Sequence, residues 1–263
     1  MSAKNTIDGT LNLNVPLRGG SDQAYGGKGV MNIRSVVPHS KASRVSFGEN
    51  LTVNLPTEWQ TVSSANPSVP LGMKIYGTPK FHADGGWTYG PAEGVETEVE
   101  SVWRSMQICK GATLTVDPNG GDVVLNDPLS GSGTFAITNG TLLIPGGVVN
   151  TPGIEVRAGG CFEWDEPLSL CSVKCVSGGV MRMKGLAALT VKELVDFTKV
   201  NLEWVKDPSC VKDRTWRSLF ISKTGFTGEL TALVGAYYTR IVETANGYEY
   251  QIRSKIGTVV TFR

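Results

Sequence analysis

Histidine is almost missing from this chain: only His39 and His82 occur in 263 residues. A hydrolytic triad needs a histidine or a substitute base beside its nucleophile, so little room is left for that chemistry. No G-x-S-x-G elbow, P-loop or HExxH motif is present. LSGSG (residues 129–133) and GGKG (residues 26–29) are glycine-rich, but no helix pattern follows either. Charge is also scarce and balanced: 25 Lys and Arg stand against 24 Asp and Glu. No basic block exists, which argues against nucleic acid and against an anionic membrane surface as partners. No apolar run approaches the roughly 18 residues of a spanning helix, so no membrane-spanning segment is expected. The five cysteines lack paired CxxC spacing, which disfavours zinc. Cys171 and Cys175 share a strand face but lie about 13 Å apart at roughly 3.3 Å per residue, too far for a disulfide. VDPNGGD (residues 116–122) and WDEP (residues 164–167) are the nearest approaches to a calcium turn and read as ordinary β-turns. No cofactor and no metal are expected.

What is abundant is glycine, at 32 residues. Between residues 111 and 164 it introduces one short strand after another: GATLTV, GDVVLN, GTFAIT, GTLLI, GIEVR and GCFEW. Apolar and small polar residues alternate within each, the period-2 mark of a half-buried strand. Gly111 to Gly131 is 20 residues, Gly133 to Gly153 is 20, Gly140 to Gly159 is 19 and Gly159 to Gly179 is 20. The same step separates Gly9, Gly29 and Gly48 near the start. A fixed period near 20 marks a solenoid, whose coils bury their apolar faces only against one another. Glycine, Asn and Asp at the turns suit a coil that changes direction through positive φ. An antiparallel sandwich is the competing architecture, because it also gives short strands between frequent turns.

The expected fold is therefore all-β: a right-handed parallel β-helix occupying residues 1–263 as one domain. Residues 56–100 break the rhythm. They hold Pro56, Pro67, Pro70, Pro79 and Pro91 and read as a loop-rich lateral segment. Residues 188–205 admit a helix around 191–197, but two short strands, LTV and VNLEWV, are preferred. Residues 206–263 read as antiparallel strands that cap the last coil, with hairpin-like turns at ANG and KIG.

The central residues resemble the autotransporter-associated β-strand repeats of secreted bacterial passenger regions. KGATLTVD (residues 110–117), PLSGSGTFAITNGTLLI (residues 128–144) and EVRAGG (residues 155–160) carry the resemblance, and GYEYQIRSKIGTVVTF resembles closing strands of such passengers. The resemblance implies a β-helix displayed on the outside of a Gram-negative-type cell, extracellular or at the outer-membrane surface. The first ten residues, MSAKNTIDGT, lack the apolar centre of a signal peptide, so the chain is either cytosolic or a mature or excised piece of a secreted protein, and the second fits the composition better.

Function is expected to be structural or adhesive and non-catalytic, with a glycan or cell-surface component as partner. His82, Asp84, Trp87 and Tyr89 fall within eight residues of a Gly/Pro-rich loop. Exposed rings there would stack on sugars while the polar groups bond hydroxyls. Trp87 as a hydrophobic plug is the alternative. The largest groove is expected between residues 56–94 and the flank of the helix. A second reading is a polysaccharide lyase or glycoside hydrolase. Glu163 and Asp165 on one coil and Arg182 and Lys184 on the next would then form an acidic-glycan face.

Overall fold

A computed structural model describes residues 3–18, 21–145, 152–185, 187–193, 195–205, 215–228, 230 and 237–254. It is nearly all β, with 54% strand and 3% helix. In the first sheet, strand Ala3–Ile7 pairs in parallel with Gln23–Gly27, followed by Ser43–Phe47, Leu71–Ile75, Met106–Ile108 and Leu129–Gly131. The second sheet takes the next strand of each circuit, from Thr10–Leu13 through Thr113–Asp117 to Val173–Cys175. The third runs from Glu58–Gln60 and Trp87–Gly90 through Gly160–Trp164 and Val180–Lys184 to Asn201–Val205. The chain thus visits one sheet after another and returns beside its starting strand, an order compatible with a parallel β-helix. Thr10 faces Val30 and Ile137 faces Val156, so the glycine period is the length of a short circuit.

Alternation decides what lies inside. Ser43–Phe47 buries Ser43, Val45 and Phe47 and turns Arg44 and Ser46 outward. The interior is aliphatic around Leu114, Val116, Leu125 and Leu142, with aromatic clusters on both sides. In one of them Phe47, Phe81, Trp87 and Tyr89 meet edge to face at centroid distances of 5.2–5.9 Å. The turns behave as their residue types require. Asn119, Asn139, Gly159 and Gly178 stack at one corner with φ of 49°, 53°, 75° and 86°. Their neighbours are tied coil to coil, Gly120 N–H to Asn139 O and Gly159 N–H to Gly178 O.

Residues 56–100 are not a lateral segment. They contain strands Glu58–Gln60, Leu71–Ile75, Lys80–His82 and Trp87–Gly90, and Leu71–Ile75 lies inside the first sheet between two partners. The prolines stand outside these strands. Pro70 and Pro79 directly precede two of them and need only accept: Ser43 N–H bonds Pro70 O and Thr115 N–H bonds Pro79 O. The extra length lies in two excursions, residues 61–70 and 91–105. Ala92 N–H bonds Val62 O, and the Thr97 hydroxyl bonds Pro67 O. Glu96, Glu98 and Glu100 are exposed, and a helical turn, Ser101–Arg104, follows them.

Residues 188–205 form strands Leu189–Val191, Val195–Asp196 and Asn201–Val205 with a 3-10 turn, Phe197–Lys199, rather than a helix. Toward the end, Arg217–Ser222 pairs in parallel with Leu189–Val191 but antiparallel with Gly247–Ser254, which forms a hairpin with Tyr237–Thr244. The KIG turn, the last strand and Cys210 lie outside the described residues.

Candidate functional site

The four residues of the expected sugar-binding loop do not form one surface. Trp87 and Tyr89 alternate inward on their strand, at 1% and 0% exposure, and offer no face to a ligand. The Tyr89 hydroxyl donates to Arg104 O at 2.6 Å, and burial pushes the phenol well above its usual range. These two rings are therefore corrected to core residues, because strand Trp87–Gly90 is integral to the third sheet. His82 does face outward, with its Nδ1 4.0 Å from Asp117 Oδ2. Asp84 accepts from Asn119 Nδ2 at 3.2 Å. His82 continues an exposed row of Asn12, Asn32 and Asn54, whose amides bond one another across the second sheet. A groove of about 430 Å³ does pass between Thr57, Gly86 and Gly121. It is not the largest: one beside Leu13 and Tyr25 measures about 510 Å³ and one beside Thr190 and Asn246 about 580 Å³.

The alternative charged face does assemble. Glu163, Arg182 and Glu203 are opposite one another on adjacent parallel strands. Arg182 Nη1 lies 3.2 Å from Glu163 Oε2, and its Nε lies 2.8 Å from Glu203 Oε2. Lys184 Nζ contacts the other Glu163 oxygen. Glu163 is only 7% exposed, yet both its oxygens are matched. The hydrogen bonds that the guanidinium donates to Glu203 and Glu163 hold its pKa above the ordinary value. Asp165 is exposed and joins Glu163 and Lys184 along a groove of about 200 Å³, below the roughly 300–1,000 Å³ usual for a ligand pocket. Both cations of this face are thus already engaged by carboxylates of the same face.

Two further groups were not anticipated from the sequence. The first is a buried clasp. Asp127, 1% exposed, is bonded by the Thr61 hydroxyl and paired with Arg104 Nη1 at 2.5 Å. Burial raises its carboxyl above the ordinary value, while Thr61 and Arg104 pull it down. It joins the two excursions to the turn before Leu129–Gly131, and their spacing along the chain hid it. The second group lies on the outer face of the first sheet. Trp103, 54% exposed, and Tyr76, 44% exposed, stand there with Arg44 and Lys74. Arg44 Cζ lies 5.8 Å from the Trp103 ring centroid, and Lys74 Nζ lies 5.1 Å from that of Tyr76. Arg44 Nη2 also donates to Val102 O at 3.0 Å. The helical turn rests directly on Gly72, where a Cβ would come within 2.7 Å of Trp103 O. The alternation of GMKIY pointed Lys74 and Tyr76 outward, but nothing in it brought Trp103 beside them.

Of the cysteines, Cys161 and Cys175 are buried and Cys109 and Cys171 half-buried, all four as free thiols. Burial pushes the Cys161 thiol up to about 11, away from a reactive thiolate. Among the described residues no group of three or more His, Cys, Asp or Glu is arranged to hold a metal ion. No helix among them is long and apolar enough to cross a membrane. No family model, no curated relative and no solved structure matches the chain.

Proposed function

We propose that this chain is a right-handed parallel β-helix closed by the hairpin of Tyr237–Thr244 and Gly247–Ser254. It serves as a non-catalytic structural or adhesive module displayed outside the cell, in the manner of the autotransporter passengers that its central repeats resemble. The observation that carries the reading is the register. Circuit after circuit lays its strand beside the previous one around an apolar interior. Such a scaffold is stiff, extensible by repetition and suited to presenting a surface. The charged face at Glu163 fits the same reading, since its ion pairs link neighbouring strands.

The test is incubation of the purified protein with polygalacturonate and with chondroitin sulfate, followed for reducing ends and unsaturated products. No turnover is expected. Turnover lost in Glu163→Gln would replace this reading with that of a polysaccharide lyase or hydrolase. Antibody labelling of intact source cells tests the placement: surface signal is expected, and a purely cytosolic pool overturns it.

A further inference from the structure

The two most exposed aromatic side chains of the long circuits share one sheet face with two cations. Trp103 is carried by the helical turn lying over Gly72, and Tyr76 follows the same strand four residues on. Gly72 and Tyr76 are then about 13 Å apart at roughly 3.3 Å per residue, with Lys74 midway between them. The floor is low. Gly72 beneath the turn and Gly48 beside Tyr76 carry no side chains, and Ser46 and Gln107 flank Lys74 in register. Half-exposed rings are not what the core requires, and an apolar face left in water beside charge is a recurring mark of a recognition surface.

The charges here differ from those around Glu163. Lys74 is held chiefly by a hydrogen bond with Tyr76, which raises its pKa, and over that residue's ring. Arg44 meets Asp22 only through its backbone N–H, at 2.9 Å. Its guanidinium instead faces Val102 O and the Trp103 ring. The face therefore combines two half-exposed rings with two cations that no carboxylate pairs among the described residues.

We propose that this outer face, built from Trp103, Tyr76, Lys74 and Arg44, is a docking platform for an anionic polysaccharide. The proposal deepens the adhesive reading above and rests on it. Pyranose rings would lie flat across Trp103 and Tyr76, as apolar sugar faces do on aromatic surfaces. Carboxylate or sulfate groups along the polymer would meet Lys74 and Arg44. A neutral glucan supplies the rings without the charge, and so separates the two contributions.

Affinity electrophoresis of the full chain through gels containing polygalacturonate, dextran sulfate or dextran tests this. Retardation by at least one anionic polymer, weakening as salt rises, and little by dextran is expected. Retention in polygalacturonate assigns carboxylate as the recognised group, and retention only in dextran sulfate assigns sulfate. Trp103→Ala and Lys74→Ala should each weaken binding roughly tenfold, about the worth of one stacking or charged contact. Their melting temperatures should match the parent's, which separates lost contact from lost fold. Arg182→Gln, on the third sheet, should leave retardation unchanged. Equal retention by dextran, no retention by any polymer, or loss of binding in Arg182→Gln but not in Lys74→Ala would each overturn the platform. Release of reducing ends from a retained polymer would instead overturn the non-catalytic reading and leave the platform standing.

Discussion

Two outward faces of this molecule carry similar side-chain chemistry and dispose of it differently. On the third sheet, Glu163, Arg182 and Glu203 lie in one cross-strand row, so each charge finds its opposite on the next strand. On the first sheet, Lys74 and Arg44 find rings and carbonyls, and Trp103 and Tyr76 remain half in water. A parallel sheet sets neighbouring residues about 4.8 Å apart, close enough for any acid–base pair in register to neutralise itself. Charge remains available to a partner only where the register offers no counter-ion. Two tryptophans make the same contrast: Trp87 points into a fully paired strand, and Trp103 rides on a helical turn outside the sheet.

The largest expected effect breaks or upholds the tryptophan contrast. Trp87→Ala should cost about 3–5 kcal/mol in urea unfolding, the usual loss for a buried aromatic, whereas Trp103→Ala should stay within about 0.5 kcal/mol. Equal losses would mean that Trp103 is also a packing residue. Next comes Glu163→Ala, which leaves Lys184 without its carboxylate and Arg182 with Glu203 alone. A fully buried pair would lose more, but Arg182 and Lys184 are 32% and 48% exposed. The expected cost is therefore about 1–2 kcal/mol, against less than about 1 kcal/mol for Lys74→Ala. Gly72→Ala sharpens the comparison from the backbone side. Its new Cβ meets Trp103 O at 2.7 Å and Ser105 O at 3.2 Å, so the helical turn must lift. A stability loss of about 1–3 kcal/mol should accompany weakened binding to the anionic polymer, though no ring or charge has been removed.

The smallest effect concerns the Asp127 clasp beneath that turn. Its folded carboxyl titrates above its ordinary value of 3.8, so the folded state holds the proton more tightly than the unfolded chain does. The stability contributed by protonation is fully present below 3.8 and is lost as pH rises through the folded value. Measured against Asp127→Asn, which does not titrate, the parent should lose relative stability as pH rises across the acidic range. A parent that gains relative stability over that range would show that Arg104 outweighs the cost of burial.

Much of the architecture was legible because it is written in short-range signals. GATLTV, GTFAIT and GCFEW alternate as strands must, and the step near 20 residues between glycines recurs in the pairing of Thr10 with Val30 and Ile137 with Val156. Residues 56–100 mislead because so many prolines argue against central strands and leave only MKIYG (residues 73–77) as one, whereas Pro70 and Pro79 only mark where strands begin. The candidate sites were less legible. Glu163, Asp165, Arg182 and Lys184 gather as expected, since a coil's length separates the two pairs. The group at His82, Asp84, Trp87 and Tyr89 does not, because Trp87 and Tyr89 take inward positions of the next strand while His82 and Asp84 face solvent.

The sequence alone determined the strands, their turns and the length of the repeating circuit, because alternation and positive-φ corners act within a few residues. Only the tertiary structure decided which side chains meet across circuits. Arg44, the stretch from Gly72 to Tyr76, and Trp103 come from three separate stretches of the chain, and their proximity depends on circuit lengths that vary through the long excursions. Sign and partner are likewise properties of the register, and a slip of one residue would turn Lys74 into the core and Met73 into water.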